Sequence, residues 1–445
     1  MKTENLLTAK EYDKIYKKSK VSIDNNKLCL EDEYFHELES FLKDCEPDDS
    51  DYDYDEENEN DSIRDFFTIR NDYIQVKNYV GIIQLGSGYQ IEILPKIDFS
   101  DDGDKNNKKT KEVFLKMLEC LDDYQKVFSA SDLDIEDMSI FEIFIKLFID
   151  EVKNLVKQGL KSTYITKEDN IKFFKGKFLI NEQIKHNLCH KERFYMAFDE
   201  FDLNRPENKL IKATLEKLRR LTTNWDNSKE IKLLLNDFET IEASQNYEKD
   251  LAKVIIDRNS IVYEKIMQWV KVFLFNKTFT SFHGENNSKA LLFNMNKLFE
   301  DYVAHKIDEV FSPKGWKVSA QDKGYYLFNS PKMFQLKPDI VIKKGETTVI
   351  LDTKWKKLTN DRSKNYGISQ NDMYQMYAYS KKYNTPDVWL LYPMNEKMHE
   401  YSDKKIYEDK EQIVFRSNDG VIVRVFFINL ANDVWVNSLL NFIKK

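Results

Sequence analysis

The chain reads as a mixed α/β protein with a β-rich N-terminal domain at residues 1–135, a helical middle region at 136–285 and an αβ core at 286–445. Three observations predict this. Residues 337–354, KPDIVIKKGETTVILDTK, set two branched apolar runs around a Lys-Lys-Gly-Glu turn, which is the pattern of a β-hairpin. Residues 79–84 and 89–94 flank Gly86-Ser87-Gly88 in the same way. Between them in the chain, apolar residues recur at three- and four-residue spacing, the period of buried helix faces. A length of 445 residues suits two or three domains.

From the N-terminus, the 79–94 hairpin is the first clear element, and Pro95 closes its second strand. Residues 100–111, SDDGDKNNKKTK, read as a long polar loop. Residues 139–158 read as a helix. Ser139 and Glu142 form a capping box, Phe141, Phe144, Ile145, Phe148, Val152 and Leu155 line one face, and Gly159 ends it. Further helices are expected at 208–221 and 261–275, with the stretch up to about residue 280 mostly helical. The C-terminal core starts near 286. A helix is expected at 295–304, then the 337–354 hairpin, a helix at 372–383 and a buried strand at 388–392. A late hairpin turns at Asn418-Asp419-Gly420, and 431–443 form a terminal helix.

Composition narrows the function. No apolar run approaches a membrane span, and the first residues lack the apolar core of a signal peptide. Cys29, Cys45, Cys120 and Cys189 are widely spaced, which fits the reducing cytoplasm. Net charge is −8, yet residues 46–61 alone hold ten acids and no base, leaving the remainder at +2. That run reads as a disordered insertion. His186, Cys189 and His190 lie near one another on an expected helix, but without a second ligand cluster they read as surface or packing residues rather than zinc ligands. There is no GxxxxGK phosphate loop, so no Walker-type nucleotide site is expected.

The chemistry concentrates in the 337–354 hairpin. Side chains alternate faces along a strand, so Asp352 and Lys354 share a face. Antiparallel pairing returns Asp352 to the side of Asp339. Two carboxylates so close repel unless a cation separates them, and oxygen ligands of this kind suit Mg²⁺, with Mn²⁺ as substitute. The Thr353 carbonyl and Glu300, on the 295–304 helix, complete the candidate ligand set. Lys354 beside them can orient a water or offset charge on a phosphate. Gln375 and Tyr379 stand four apart on one helix face and should look into the same pocket. The arrangement suits metal-assisted hydrolysis of a phosphodiester.

The order helix, strand, strand, helix, strand with Pro338-Asp339 and Asp352-X-Lys354 resembles the core of the PD-(D/E)XK restriction-endonuclease-like nucleases, and Gln375-X-X-X-Tyr379 resembles the extra motif of their RecB-like branch. Longer stretches point further. Residues 79–97 (YVGIIQLGSGYQIEILPKI), 176–182 (GKFLINE), 205–209 (RPENK), 293–303 (FNMNKLFEDYV) and 352–356 (DTKWK) resemble the McrC family, the nuclease subunits of McrBC-type modification-dependent restriction systems. The resemblance implies a DNA endonuclease in phage defence. It also implies a McrB-like AAA+ ring as partner, with GTP bound by the ring and not by this chain. The N-terminal part would dock in the ring and stimulate hydrolysis; Lys96 is this reading's own candidate for the residue that raises turnover. The substrate would be double-stranded modified DNA, cut by nuclease domains that pair. Two alternatives remain: a non-catalytic scaffold of GTPase rings, against which the intact Asp339, Asp352 and Lys354 argue, and a stand-alone RecB-like nuclease, against which the 79–97 signature argues.

Overall fold

The computed structural model describes residues 6–20, 27–44, 67–97, 107–120, 138–256, 261–275, 289–395, 398 and 413–444. The acidic run at 46–61 and residues 100–106 of the expected loop lie outside them. The chain forms two compact units, one made of residues 1–141 together with 279–445, the other of residues 142–278.

The first unit opens with β1 (Leu6–Lys10), β2 (Lys14–Lys17), β3 (Leu28–Leu30), the helix Asp32–Asp44, β4 (Phe67–Ile69) and β5 (Tyr73–Val76). β2 to β5 make a small sheet in the order β3-β2-β5-β4. Phe35, Leu38, Phe41 and Leu42 recur at helical spacing and bury against Ile74, Val76, Ile83 and Ile91. β6 (Tyr79–Gln84) and β7 (Gln90–Leu94) form the expected antiparallel hairpin, and β1 pairs parallel to β7. One expectation is corrected here. The helix Lys108–Leu118 begins inside the stretch read as loop, because Thr110, Val113, Phe114 and Met117 supply a buried face to a segment whose first turn is all polar.

The second unit takes up most of the helix Ile140–Gln158, which ends at Gly159 with φ +93°. The middle region is less helical than its composition suggests. β8 (Thr163–Ile171), β9 (Lys177–Phe178) and β10 (Phe194–Asp202) form an antiparallel sheet with β10 in the centre. β8 is exposed over its first seven residues, so it carries no alternation of buried and exposed side chains to betray it. Helices Pro206–Leu221, Trp225–Asp237, Tyr247–Leu251 and Ile261–Val270 follow, the last continuing as a π turn over Lys271–Phe275. The Arg-Pro-Glu-Asn-Lys stretch is a helix start. Pro206 occupies the first turn, Arg205 pairs with buried Glu207 at 3.0 Å, and fully buried Asn208 bonds Leu203 O, Lys161 O and Tyr263 Oη.

The chain then re-enters the first unit as β11 (Lys289–Asn294), which pairs antiparallel to β6 and completes the sheet β1-β7-β6-β11. Gly81 makes this possible. Its φ is +146°, and a Cβ there would stand 2.0 Å from Leu291 O. Asn294 ends β11 and caps the helix Met295–Phe311 through the N–H groups of Asn296 and Lys297. There follow β12 (Lys317–Ala320), the separate hairpin β13 (Tyr325–Asn329) and β14 (Lys332–Leu336), then β15 (Ile340–Lys344) and β16 (Thr347–Thr353). The helix Gln370–Tyr383 crosses over to β17 (Asp387–Pro393), and β18 (Val414–Arg416), β19 (Ile422–Ile428) and the helix Val434–Lys444 close the chain. These strands make a six-stranded sheet, β12-β15-β16-β17-β19-β18, with β16, β17 and β19 parallel to one another. One face, with Val341, Ile350, Val388, Leu390 and Val425, packs on Met376, Tyr379 and Tyr383 of the 370–383 helix. On the other face Trp389 and Phe426 meet Phe442 of the terminal helix.

Candidate active site

The site grows from strand register. β15 and β16 pair with Ile340 opposite Leu351, so Asp339, just before β15, lies beside the end of β16 where Asp352 and Thr353 sit. Asp352 has the parity of Ile350 and therefore faces the 370–383 helix. Asp339 Oδ2 accepts hydrogen bonds from Thr353 N at 2.6 Å and Thr353 Oγ1 at 2.7 Å. Asp352 is 0 % exposed. Its Oδ1 has no hydrogen-bond partner among the described residues, and Oδ2 is ion-paired with the Lys354 ammonium 2.5 Å away.

A chain of contacts holds Lys354. Its Nζ stands 3.4 Å from Gln375 Oε1, Gln375 Nε2 donates to Tyr379 Oη at 2.7 Å, and Tyr379 Oη donates to Lys337 O at 3.0 Å. The helix thus grips both the lysine and the strand that delivers Asp339. Gln375 and Tyr379 thus lie on the helix face that meets Lys354 and Lys337. Glu300, from the 295–311 helix, accepts from Gln321 Nε2 at 3.0 Å, and Gln321 N donates to Asp339 O at 2.7 Å.

Electrostatics match this crowding. Burial, then the Asp339 charge, push Asp352 up to about 7. The same two causes push Glu300 up to about 7. Burial also raises Asp339, against the opposing Thr353 bonds. Burial disfavours the Lys354 ammonium, but the carboxylates of Asp352 and Asp339 outweigh it and hold the group above its usual range. Burial keeps the Tyr379 hydroxyl protonated, hence a donor.

The donor set suits a hard divalent cation: buried carboxylates with an unsatisfied oxygen. Asp339, Asp352, the Thr353 carbonyl and Glu300 are the groups the sequence offers for it. Among the described residues no group of three or more His, Cys, Asp or Glu is close enough to hold an ion. Lys354 stands against Asp352 Oδ2, and Asp339 turns one oxygen to Thr353.

Two residues escaped the sequence reading. Gln321 links Glu300 to the Asp339 backbone. Glu11, at the end of β1 and 0 % exposed, accepts from the indole Nε1 of Trp355 at 3.0 Å and from Lys96 N at 3.0 Å. Neither has a local sequence signal, since their partners are distant in the chain. The helix expected to carry His186, Cys189 and His190 is shorter than that. The helix Ile180–His186 ends before Cys189 and His190, His186 stacks on Tyr195, and His190 turns to Glu192.

A family profile described as McrBC 5-methylcytosine restriction system component matches residues 74–393. No curated protein matches the chain. Among solved structures, it is similar to a chain of the refined half-complex from a tetradecameric assembly of Thermococcus gammatolerans McrB AAA+ hexamers with bound McrC. The TM-score is 0.72 at 19% identity, over 98% of this chain and 100% of that one. A chain of the Thermococcus gammatolerans McrBC complex aligns at 0.48 and 18% identity, over 67% of this chain and 86% of that one.

Proposed function

The chain belongs to the family of McrBC 5-methylcytosine restriction system components, and from that premise we propose that it is the Mg²⁺-dependent endonuclease subunit of a McrBC-like defence complex. It hydrolyses phosphodiesters in modified duplex DNA and binds and stimulates a McrB-like AAA+ ring that hydrolyses GTP. The observation that carries the reading is the meeting of Asp339, Asp352 and Lys354 at one rim of a mixed sheet, with an unsatisfied oxygen on buried Asp352. A scaffold gains nothing from burying an ion pair with one carboxylate oxygen left unsatisfied, because such burial costs desolvation that the pair does not fully return.

Each side chain has a task. Asp339 and Asp352, with the Thr353 carbonyl and Glu300, hold a divalent cation, which when bound supplies Lewis-acid stabilisation of the phosphate. Lys354, kept as an ammonium by its carboxylate neighbours, offsets charge on the phosphate and orients the water. Gln375 sets the position of Lys354, and Tyr379 locks Gln375 to the Lys337 carbonyl. The similarity to an assembly of McrB hexamers with bound McrC supports a ring partner.

The test mixes the full chain with its cognate GTPase, GTP, Mg²⁺ and a methylated duplex. Wild type should cut, and EDTA should stop it. Asp339→Ala and Asp352→Ala should not cut yet should still raise GTP turnover. Cutting by Asp352→Ala at the wild-type rate would reject the site.

A further inference from the structure

The hairpin β13–β14 is a sheet of its own, separate from the six-stranded sheet, and leads directly into the candidate active site. Leu336 ends β14, Lys337 carries the carbonyl that Tyr379 grips, and Asp339 follows two residues on. Its root is anchored. Tyr325 packs on Tyr383 with ring centroids 4.3 Å apart, Tyr383 Oη donates to Asp322 Oδ1 at 2.8 Å, and Gln335 Nε2 donates to Lys323 O at 2.9 Å. Tyr383 lies one helical turn beyond Tyr379, so the hairpin and the lysine-positioning residues share a helix.

Its outer part is unlike a solvent-facing turn. Phe328 is 56 % exposed, Met333 50 % and Phe334 65 %. The two phenyl rings meet edge to face, 5.9 Å between centroids. Phe334 has φ +58°, a left-handed backbone that bulky residues rarely adopt and that concentrates at working surfaces. The charge is one-sided: residues 323–337 contain Lys323, Lys332 and Lys337 and no acid, in a chain of net charge −8. Aromatic tips among lysines, beside a phosphodiesterase site, match a nucleic acid. Apolar wedges part base steps while cations hold the flanking phosphates.

We propose that the β13–β14 hairpin is a DNA wedge, with Phe328 and Phe334 entering the base stack next to the scissile phosphate and Lys332 holding an adjacent phosphate. This rests on the nuclease reading above. The hairpin spans five residues per strand, on the order of 17 Å at the usual rise, enough to reach bases flanking the cut from a root beside Asp339. Entry of the rings unstacks one step and bends the duplex toward the carboxylates.

The experiment uses the full chain with Ca²⁺ in place of Mg²⁺, to allow binding without cutting, and a 30-base-pair methylated duplex carrying 2-aminopurine at successive positions. Wild type should raise 2-aminopurine fluorescence at one or two steps. Phe328→Ala with Phe334→Gly, the glycine suiting the left-handed backbone, should abolish that rise and weaken binding about tenfold or more. Lys332→Ala should lower the slope of log affinity against log salt by about 1. Asp352→Ala should leave the fluorescence rise intact while failing to cut in Mg²⁺, which separates the wedge from the catalytic centre. If wild type cuts and the double variant binds and unstacks as wild type does, the wedge is wrong. If the double variant instead dissociates a dimer at unchanged DNA affinity, the hairpin is an interface between copies, and the wedge is again wrong. If wild type never cuts, even with the GTPase and GTP, the nuclease reading fails independently of the unstacking result.

Discussion

Lys354 is the residue on which most of the site's behaviour turns. It sits 2.5 Å from Asp352 and 3.4 Å from Gln375, one contact of charge and one of orientation. Lys354→Ala should lower cleavage by about a hundredfold or more, the scale for removing one group that stabilises developing charge. Lys354→Arg should restore little, because the guanidinium is planar and cannot take the ammonium's place between two carboxylates. Single-turnover cleavage of labelled duplex measures both, and full activity in the arginine variant would show that charge alone suffices. Tyr379→Phe removes the bonds to Gln375 and Lys337 O and should cost about 1 kcal/mol of stability with a clear loss of rate. At this scale the sequence was readable where chemistry and alternation coincide. Asp352, Lys354, Gln375 and Tyr379 follow from strand parity and helix spacing. Gln321 and Glu11 do not, because what gives each its meaning is a partner brought close only by folding.

Elements behave as their hydrophobic patterns allow. β15 and β16 were legible because Ile340, Ile342, Val349 and Leu351 are branched or apolar and buried. β8 was not, because an exposed ribbon has no buried face to impose a period. The β13–β14 hairpin was missed for a related reason: its aromatic residues point outward. The end of β1 makes a sharper test. Burial is the main cause that pushes Glu11 up to about 7, with the bonds from Lys96 and Trp355 opposing it. Below about pH 4 the carboxyl is protonated both folded and unfolded, and its contribution to stability is fully present. As pH rises toward 7 the unfolded chain ionises first, so stability falls, and above 7 the loss is constant. Glu11→Gln should remove that loss. The variant should match wild type at pH 4 and exceed it at pH 8, by on the order of 2–3 kcal/mol in urea unfolding. Equal pH dependence in the two proteins would show that Glu11 is ionised in the fold. Gly81→Ala should act the other way. The methyl would collide with Leu291 O, separating β11 from β6 at a cost above about 2 kcal/mol, visible as a lower Tm.

For the whole molecule, the proposed function sets a requirement of number. One site of this kind cuts one strand, so a double-strand break needs two copies meeting through their nuclease domains, most simply about a two-fold axis. With Mg²⁺ alone at physiological salt the chain should nick weakly or not at all, since its overall charge of −8 keeps unaided DNA binding weak there. Adding the GTPase and GTP should produce linear product from a methylated plasmid. Efficient linearisation without nucleotide would favour a stand-alone nuclease.

The return of the chain as β11 also governs the order in which the protein can be made. Emerging from the ribosome, residues 1–141 offer β6 with one edge open, and its partner strand begins only at Lys289. At about 5–20 residues per second, that edge waits on the order of 10–40 s. The continuous unit at 142–278 is complete before then and is free to fold first, reversing the usual N-terminal-first sequence. An open strand edge is a template for pairing with another chain, so translation stalled short of residue 294 should leave nascent chains prone to cluster and to need a holding chaperone.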